Sequence, residues 1–187
     1  MTGCKPLSKI EQKAMLDQIA SLRNRALLTL GLKTGFRIQE LLSLKVEDVF
    51  QHGSVVEYVS VARKNMKGKG AGRTVKLHPE ARQALQSYLE SMTNQPEHWL
   101  FRSRKGNNKP LSRFQAFRII QDAAEAAKVQ GPVACHSMRK SFAMGVYERL
   151  GKDLVKTQAA MGHQSVESTV KYLSFAQTEI DDAITGD

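Results

Sequence analysis

The sequence predicts an α+β fold that is mainly helical and carries one small antiparallel β-hairpin. Ser-Lys-Ile-Glu at 8–11 and Ser-Arg-Phe-Gln at 112–115 have the form of capping boxes, which indicate helix starts. β-Branched and aromatic residues concentrate at 54–62 and, more weakly, at 74–77. A glycine-rich turn joins these two stretches, so we expect them to pair as a hairpin.

The spacing of apolar residues in the N-terminal half predicts four helices. They lie at about 8–20, from 22 to a break at 31–35, from 36 onward, and at 79–92. Gly31 and Gly35 predict the break, because glycine weakens a helix interior. Pro79 suits the first position of the fourth helix, where a backbone N–H is not needed.

The C-terminal half predicts one short strand followed by helices. The strand is Trp-Leu-Phe at 99–101, and the helices lie at about 112–128, 136–150, 153–161, 165–173 and 175–184. Val166, Val170 and Leu173 predict a buried stripe that leaves Tyr172 outside it. There is no internal repeat, low-complexity segment or linker, so residues 1–187 are predicted to form a single domain.

The composition indicates a polyanionic partner. Lys and Arg number 28 against 18 Asp and Glu, which gives a net charge of +10 and a pI of about 9.8. Such a balance favours nucleic acid. The sequence has no apolar run long enough to cross a bilayer and no signal-peptide core, so we expect a cytoplasmic protein without a membrane partner.

The distribution of histidines, acids and cysteines predicts neither a metal nor another cofactor. The five histidines are scattered, and no acidic cluster resembles a two-metal site. Cys4 and Cys135 lie far apart, in no metal or redox spacing. A nucleophilic pair of Cys135 with His136 is also disfavoured, because helix neighbours point about 100° apart.

Three polar motifs near the C-terminus are ambiguous when each is taken alone. His136 and Arg139 share one face of a predicted helix, which an ordinary solvated face would also explain. His163 follows Met-Gly and suits a histidine stabilised by a helix C-terminus. Tyr172 suits a packed ring whose hydroxyl is bonded nearby.

Taken together, four motifs resemble the tyrosine recombinase (phage integrase) family in residue type, order and separation. They are Thr34-Gly-Phe-Arg37-Ile-Gln-Glu40, His136-x-x-Arg139, Met161-Gly-His163 and Thr169-Val-Lys-Tyr172. The resemblance covers about residues 8–180 and implies the catalytic-domain fold of that family. It also implies that the core-binding and arm-binding domains of many relatives are absent from this chain.

The resemblance assigns a role to each matching position. These positions are the first active-site arginine Arg37, its supporting acid Glu40, the pair His136 and Arg139 of the His/Lys-x-x-Arg element, His163 at the His/Trp position, and the nucleophile Tyr172. A catalytic lysine is expected in the hairpin turn. Lys69 fits best, with Lys67 and Lys64 as alternatives because the neighbouring glycines let the turn slide in alignment.

The implied reaction is metal-free breaking and rejoining of DNA strands through a 3′-phosphotyrosine. A tyrosine has a pKa of about 10 and needs a base, for which His136 is the candidate. Lys69 would protonate the departing 5′ oxygen, and the arginines would neutralise charge on the phosphate. The implied partners are double-stranded DNA and other recombinase subunits in a tetrameric synapse, with the nucleoid as location and a phage or mobile element as origin.

Two basic segments are predicted to contact the DNA backbone. Besides Lys69, the first contains Arg63, Lys64, Lys67, Arg73 and Lys76, and the second contains Arg102, Arg104, Lys105, Lys109 and Arg113. A solvated face explains either segment alone about as well. The acidic stretch after Tyr172 predicts a protein contact instead, which by resemblance would be a neighbouring subunit.

Two other functions stay open at this point. One is a non-catalytic DNA-binding or regulatory module that keeps the fold, although the intact set of candidate catalytic residues disfavours it. The other is a DNA-relaxing enzyme like the type IB topoisomerases, which share this chemistry. The small size of the chain and the His136 and His163 pattern favour the integrase side.

Overall fold

The computed structural model describes residues 3–61, 72–93, 95–106, 108–162, 165–170 and 173. These residues are mainly helical, with two small antiparallel sheets, which confirms the predicted fold class. The backbone divides into two compact units, Met1–Phe142 and Ala143–Asp187. None of the helices in the described ranges has both the length and the apolar character needed to cross a membrane.

The first unit contains most of the described helices and all of the described strands. Its elements are α1 Lys9–Asp17, α2 Leu22–Thr34, α3 Ile38–Leu42, a 3₁₀ turn Val46–Asp48, β1 Phe50–Gln51, β2 Ser54–Val55, β3 Tyr58–Val61, β4 Arg73–Lys76, α4 Pro79–Glu90, α5 Arg113–Ala126 and the start of α6 Cys135–Arg149. Both predicted capping boxes are present. The Glu11 N–H donates to the Ser8 hydroxyl at 3.2 Å, and the Gln115 N–H donates to the Ser112 hydroxyl at 3.1 Å.

The predicted strand at 54–62 is wrong as a single element, because the chain forms two hairpins there. β1 pairs with β2 around a turn in which His52 and Gly53 both have positive φ, 51° and 78°. β3 pairs with β4 in a second antiparallel sheet that starts at Tyr58 opposite Lys76 and ends at Val61 opposite Arg73. Residues 62–71, which follow Val61 in the sequence, lie outside the described residues.

The predicted helix break at Gly31 is also wrong. α2 continues through Gly31 and ends at Thr34. Gly31 is needed for packing rather than for a break, since a Cβ there would lie 2.4 Å from the Sδ of Met138. The stop comes at Gly35, which adopts the left-handed conformation that ends many helices, with φ 61°.

The core of the first unit holds the segment 99–101 in place without a regular strand, so the predicted strand there is wrong. The Tyr88 ring stacks on Phe101 at 6.3 Å between centroids, and its hydroxyl donates to the Leu100 carbonyl at 2.9 Å. Trp99 forms an isolated bridge with Lys45. Leu100 and Phe101 are fully buried. Their backbone bonds isolated partners instead of a strand: the Leu100 N–H donates to the Leu44 carbonyl and the Leu111 N–H donates to the Phe101 carbonyl, each at 2.8 Å.

The second unit contains the end of α6, then α7 Leu154–Met161 and α8 Val166–Val170. The Asp153 side chain caps α7 by accepting the Lys156 N–H at 2.9 Å. The predicted stripe on α8 needs correction, because Val170 is 39% exposed whereas Thr169 is fully buried. The helix predicted at 175–184 lies outside the described residues.

Candidate active site

The turn between α2 and α3 presents the first predicted site residue. Gly35 closes α2, and its N–H donates to the Gly31 carbonyl at 3.0 Å. Two residues later Arg37 leaves the turn in an extended conformation as the N-cap of α3. A left-handed residue directly after a helix reverses the chain sharply, so the Arg37 side chain is held at the start of a new helix.

Glu40 fixes Arg37 from one turn further along α3. Its carboxylate accepts the backbone N–H of Arg37 at 2.6 Å and the guanidinium Nη1 at 3.1 Å. Both side chains are mostly buried, with 26% and 15% exposed. A charge-assisted pair held at both its backbone and its side chain leaves the guanidinium little freedom, which suits a preorganised cation.

Arg139, the second predicted arginine, lies on α6 and is the largest fully buried side chain among the described residues. Its guanidinium donates to the Gly35 carbonyl, the residue that ends α2. Met138, its neighbour in the chain, packs against Gly31. Because the contacts of residues 138 and 139 both fall on the end of α2, α6 and the α2–α3 turn are locked together where the two arginines emerge.

Arg73 joins this pair, although the sequence indicated only that it belongs to a basic segment. Its guanidinium lies over the Phe36 ring at 5.3 Å and over the Phe142 ring at 5.5 Å. Burial and the charges of Arg139 and Arg37, partly offset by Glu40, lower the pKa of Arg73 to about 10. Even at that pKa the side chain is charged near neutral pH, so its charge adds to those of Arg37 and Arg139, and Glu40 is a negative charge nearby.

His136 lies three residues before Arg139 and has an exposed side chain. Partial burial and the charges of Arg139, Arg37 and Lys140 lower its pKa below the ordinary value of 6.5. Near neutral pH the imidazole is therefore uncharged. An uncharged imidazole beside cations can accept a proton from a nearby donor.

We expect His136 to titrate below 6.5 in NMR spectra of the folded protein, and to titrate higher after sulfate is added. An anion offsets the surrounding cations and so favours the protonated ring. Since the folded pKa is depressed, the unfolded chain binds more protons below pH 6.5, and the free energy of unfolding falls as the pH drops through that window. A His136 pKa at or above 6.5 without sulfate would contradict this description of the site.

Cys135 has no nucleophilic character in this setting. Burial raises the pKa of its thiol to about 11, so very little thiolate exists near neutral pH. This agrees with the prediction that Cys135 and His136 do not form a nucleophilic pair. Groups of histidine, cysteine and acidic residues that could hold a metal are not found within the described ranges.

The remaining predicted catalytic residues lie outside the described residues. They are His163, Tyr172 and Lys69 with its alternatives Lys64 and Lys67, and Arg63 of the first basic segment lies there too. Among their described neighbours, Gly162 ends α7 with a left-handed φ of 61°, and Leu173 is buried. The positions predicted for the nucleophile, the general acid and the second histidine remain predictions.

The other cations predicted to contact DNA are either paired within the protein or exposed. The Nζ of Lys76 lies 2.7 Å from a carboxylate oxygen of Glu57. Arg102 donates to the Thr93 carbonyl at 3.3 Å. The side chains of Arg104, Lys105, Lys109 and Arg113 are exposed to solvent. These four are accessible to a phosphate backbone. Lys76 is also exposed, with 65% of its side chain accessible beside Glu57, and Arg102 is partly exposed.

Arg23 is a half-buried cation that the sequence did not indicate. Its guanidinium donates to the Arg102 carbonyl at 2.7 Å, and burial together with the charge of Arg104 lowers its pKa. It lines an open groove of about 1050 Å³ with Arg104, Lys105 and Arg118. A single arginine in an amphipathic helix carries no motif, so only the fold reveals this contact.

Comparison with known proteins gives consistent matches over nearly the whole chain. The sequence profile of the phage integrase family matches residues 6–179. The chain is 35% identical over 178 residues to the tyrosine recombinase XerD of Mycobacterium leprae (strain TN). The aligned region covers 89% of this chain and 52% of that relative. The chain therefore spans about half the length of the XerD relatives that it matches.

Solved structures share the fold. The crystal structure of XerA recombinase matches with a TM-score of 0.78 and 27% identity, over 100% of this chain and 65% of that chain. The XerH site-specific recombinase, solved as a post-cleavage complex with a palindromic difH substrate, matches with a TM-score of 0.73 and 24% identity. That match covers 96% of this chain and 52% of XerH.

Proposed function

The chain belongs to the phage integrase family, and on that premise we propose that residues 1–187 form the catalytic domain of a tyrosine-type site-specific DNA recombinase. The reaction is strand cleavage and rejoining by transesterification, without a metal or cofactor. One observation carries the proposal: the Arg139 guanidinium donates to the carbonyl of Gly35, two residues before Arg37, and the charges of both arginines act on His136.

Arg37 and Arg139 hold the scissile phosphate in this proposal. An in-line displacement at phosphorus accumulates charge on the non-bridging oxygens, and fixed cations stabilise that charge without reorganising. Guanidiniums suit the task because they stay charged and can donate two parallel hydrogen bonds. Glu40 and the Gly35 carbonyl supply the fixed geometry.

Tyr172 is the proposed nucleophile and His136 its base. The tyrosine oxygen attacks phosphorus while its proton passes to the imidazole, which the lowered pKa of His136 keeps uncharged and able to accept it. The bond from phosphorus to the 5′ oxygen breaks, and Lys69 donates a proton to that oxygen. His163 donates a hydrogen bond to the phosphate.

The products are a 3′-phosphotyrosyl link and a free 5′ hydroxyl. One phosphoester replaces another, so a 5′ hydroxyl from a partner strand reverses the step without a nucleotide cofactor. Strand exchange requires a step of this kind, in which the energy of the phosphoester bond is retained and the reaction is reversible. The four exposed cations Arg104, Lys105, Lys109 and Arg113 contact the DNA backbone outside the reacting phosphate in this proposal.

The proposed partners are double-stranded DNA and further recombinase subunits, in the cytoplasm at the nucleoid. The net charge of +10 supports a DNA partner. XerH, a protein of the same fold, has been solved with its difH substrate, which also supports it. Exposed cations dominate the expected contacts, so DNA affinity should fall steeply with added salt.

Covalent capture tests the proposal directly. The full chain is incubated with a pool of nicked duplexes of randomised sequence, in which cleavage releases a short fragment and prevents rejoining. We expect a protein–DNA adduct that survives denaturant, attached through the 3′ side of the break, with a 5′ hydroxyl on the released fragment.

Labelling each DNA end shows which strand end is attached to the protein, and the outcome distinguishes the recombinase from the two other functions. Gel retardation without any adduct at every sequence in the pool would favour a non-catalytic DNA-binding module. Adducts spread evenly over the randomised sequences, with relaxation of supercoiled plasmid, would favour a DNA-relaxing enzyme. Attachment through a 5′ phosphate would contradict the proposed chemistry.

A further inference from the structure

Arg73 is placed to do more than contact DNA as part of a basic segment. It is the first residue of β4 and pairs with Val61, at the end of the sheet. Its guanidinium lies between two rings, at 5.3 Å from the centroid of Phe36 and 5.5 Å from that of Phe142. One ring immediately precedes Arg37, and the other lies one helical turn after Arg139.

The same contacts connect Arg73 to both candidate phosphate-binding arginines. Phe36 is 1% exposed and holds the α2–α3 turn, and Phe142 packs so closely on Gly35 that a Cβ there would lie 2.4 Å from its ring. A guanidinium stacked between these rings therefore fixes the two backbone segments from which Arg37 and Arg139 project. Stacking of this kind suits arginine and not lysine.

A purely structural role does not explain the charge. Arg73 is largely buried, and Arg37 and Arg139 repel it, which together lower its pKa to about 10. Glu40 attracts the guanidinium, but burial and the two neighbouring arginines outweigh that attraction. The positive charge is therefore disfavoured in the free protein, and an anion bound beside it would offset that cost.

We propose that Arg73 is a positioning residue of the phosphate site, a third guanidinium whose charge strengthens anion binding and whose stacking holds Arg37 and Arg139 in place. The proposal deepens the recombinase function and rests on it for the identity of the anion, a DNA phosphodiester. Arg73 acts by holding the two neighbouring arginines in place and by adding its positive electrostatic potential at the phosphate.

Sulfate binding tests the charge without any DNA. We measure the thermal midpoint of the wild-type chain, Arg73→Met and Lys13→Met in sulfate and in chloride of equal ionic strength. Lys13 lies on α1 with its side chain 82% exposed, so its replacement removes one charge far from these contacts. The Lys13 variant also corrects for the general stabilisation that sulfate gives to folded proteins.

We expect Arg73→Met to match or exceed the wild-type midpoint in chloride, yet to gain clearly less from sulfate than wild type and Lys13→Met. Arg73→Lys, which keeps the charge, should retain most of the sulfate gain. A loss of stability in chloride combined with an undiminished sulfate gain would overturn the proposal and leave Arg73 with a structural role. If Arg73→Met does not fold, Arg73→Gln takes its place as the variant without the charge, and an undiminished sulfate gain in Arg73→Gln overturns the proposal.

Cleavage of DNA separates this inference from the proposed function. Arg73→Met should form the covalent adduct roughly 10² times more slowly, and the defect should shrink when the scissile phosphate is replaced by an uncharged methylphosphonate. Adduct formation at the wild-type rate in Arg73→Met would reject the inference while the recombinase function stands. A sulfate response without any adduct from the wild-type chain would reject the function while the anion site stands.

Discussion

An Arg139→Lys variant is expected to cleave DNA on the order of 10³-fold more slowly than the wild-type chain. Lysine keeps the positive charge but cannot donate both to the Gly35 carbonyl and to a phosphate in a fixed plane. The loss therefore measures guanidinium geometry rather than charge. The measurement is the single-turnover rate of covalent adduct formation on a nicked duplex in which cleavage releases a short fragment and prevents rejoining.

Arg25→Lys is the matched control for that variant. Arg25 is only partly buried, but like Arg139 its guanidinium donates to a backbone carbonyl, that of Leu16, at 3.1 Å. It lies away from the proposed phosphate, so its replacement should leave the cleavage rate near wild type. Arg37→Lys, at a less buried position, should show a defect like that of Arg139→Lys if folding is intact. A rate within tenfold of wild type for both variants would contradict the assigned roles.

A Gly35→Ala variant is expected to lose about 2–4 kcal/mol of unfolding free energy. Alanine at φ 61° is strained, and its Cβ would lie 2.4 and 2.8 Å from two ring atoms of Phe142. The ring cannot rotate away without releasing Arg73, and a shift of the turn moves the carbonyl that Arg139 bonds. Urea unfolding gives the stability, and the residual cleavage rate should be lowered as well.

Gly53→Ala separates backbone strain from the clash. Gly53 has a positive φ of 78°, and nothing lies within 4 Å of a Cβ built there. Its replacement should cost only the strain of the left-handed conformation, about 1–2 kcal/mol. Equal losses for the two glycine variants would show that Phe142 adapts at no cost, against the description of a locked turn.

Local signals predicted most of the fold, and a weak turn signal together with non-local packing accounts for the errors. Capping boxes depend on residues three apart, and both were found where expected. Residues 54–55 are separate from β3 because the two-residue turn at His52-Gly53 pairs them with β1, and its two positive φ angles match the twist of a hairpin. Asn-Gly or Asp-Gly would have signalled that turn, whereas His-Gly is a weak signal.

The site was predictable only where a motif marks it. Arg37, His136 and Arg139 stand in short patterns that survive without the structure, and the structure brings these three together. Arg73 and Arg23 do not belong to such patterns. Their partners lie far away in the sequence, and only tertiary packing brings the rings and carbonyls next to them. Residue spacing in the sequence does not indicate a cation that stacks between two phenylalanines far from it in the chain.

The central claim, transfer of a DNA strand to Tyr172, is tested most directly by mapping the covalent adduct. Wild-type protein, Tyr172→Phe and Tyr58→Phe are reacted with the captured substrate, digested, and analysed by mass spectrometry for a nucleotide-linked peptide. Tyr58 is 53% exposed on β3 and is the control for an accessible tyrosine. We expect a phosphotyrosyl nucleotide at Tyr172 in the wild-type and Tyr58→Phe proteins and none in Tyr172→Phe. A nucleotide on any other residue, or an adduct that persists in Tyr172→Phe, would contradict the claim.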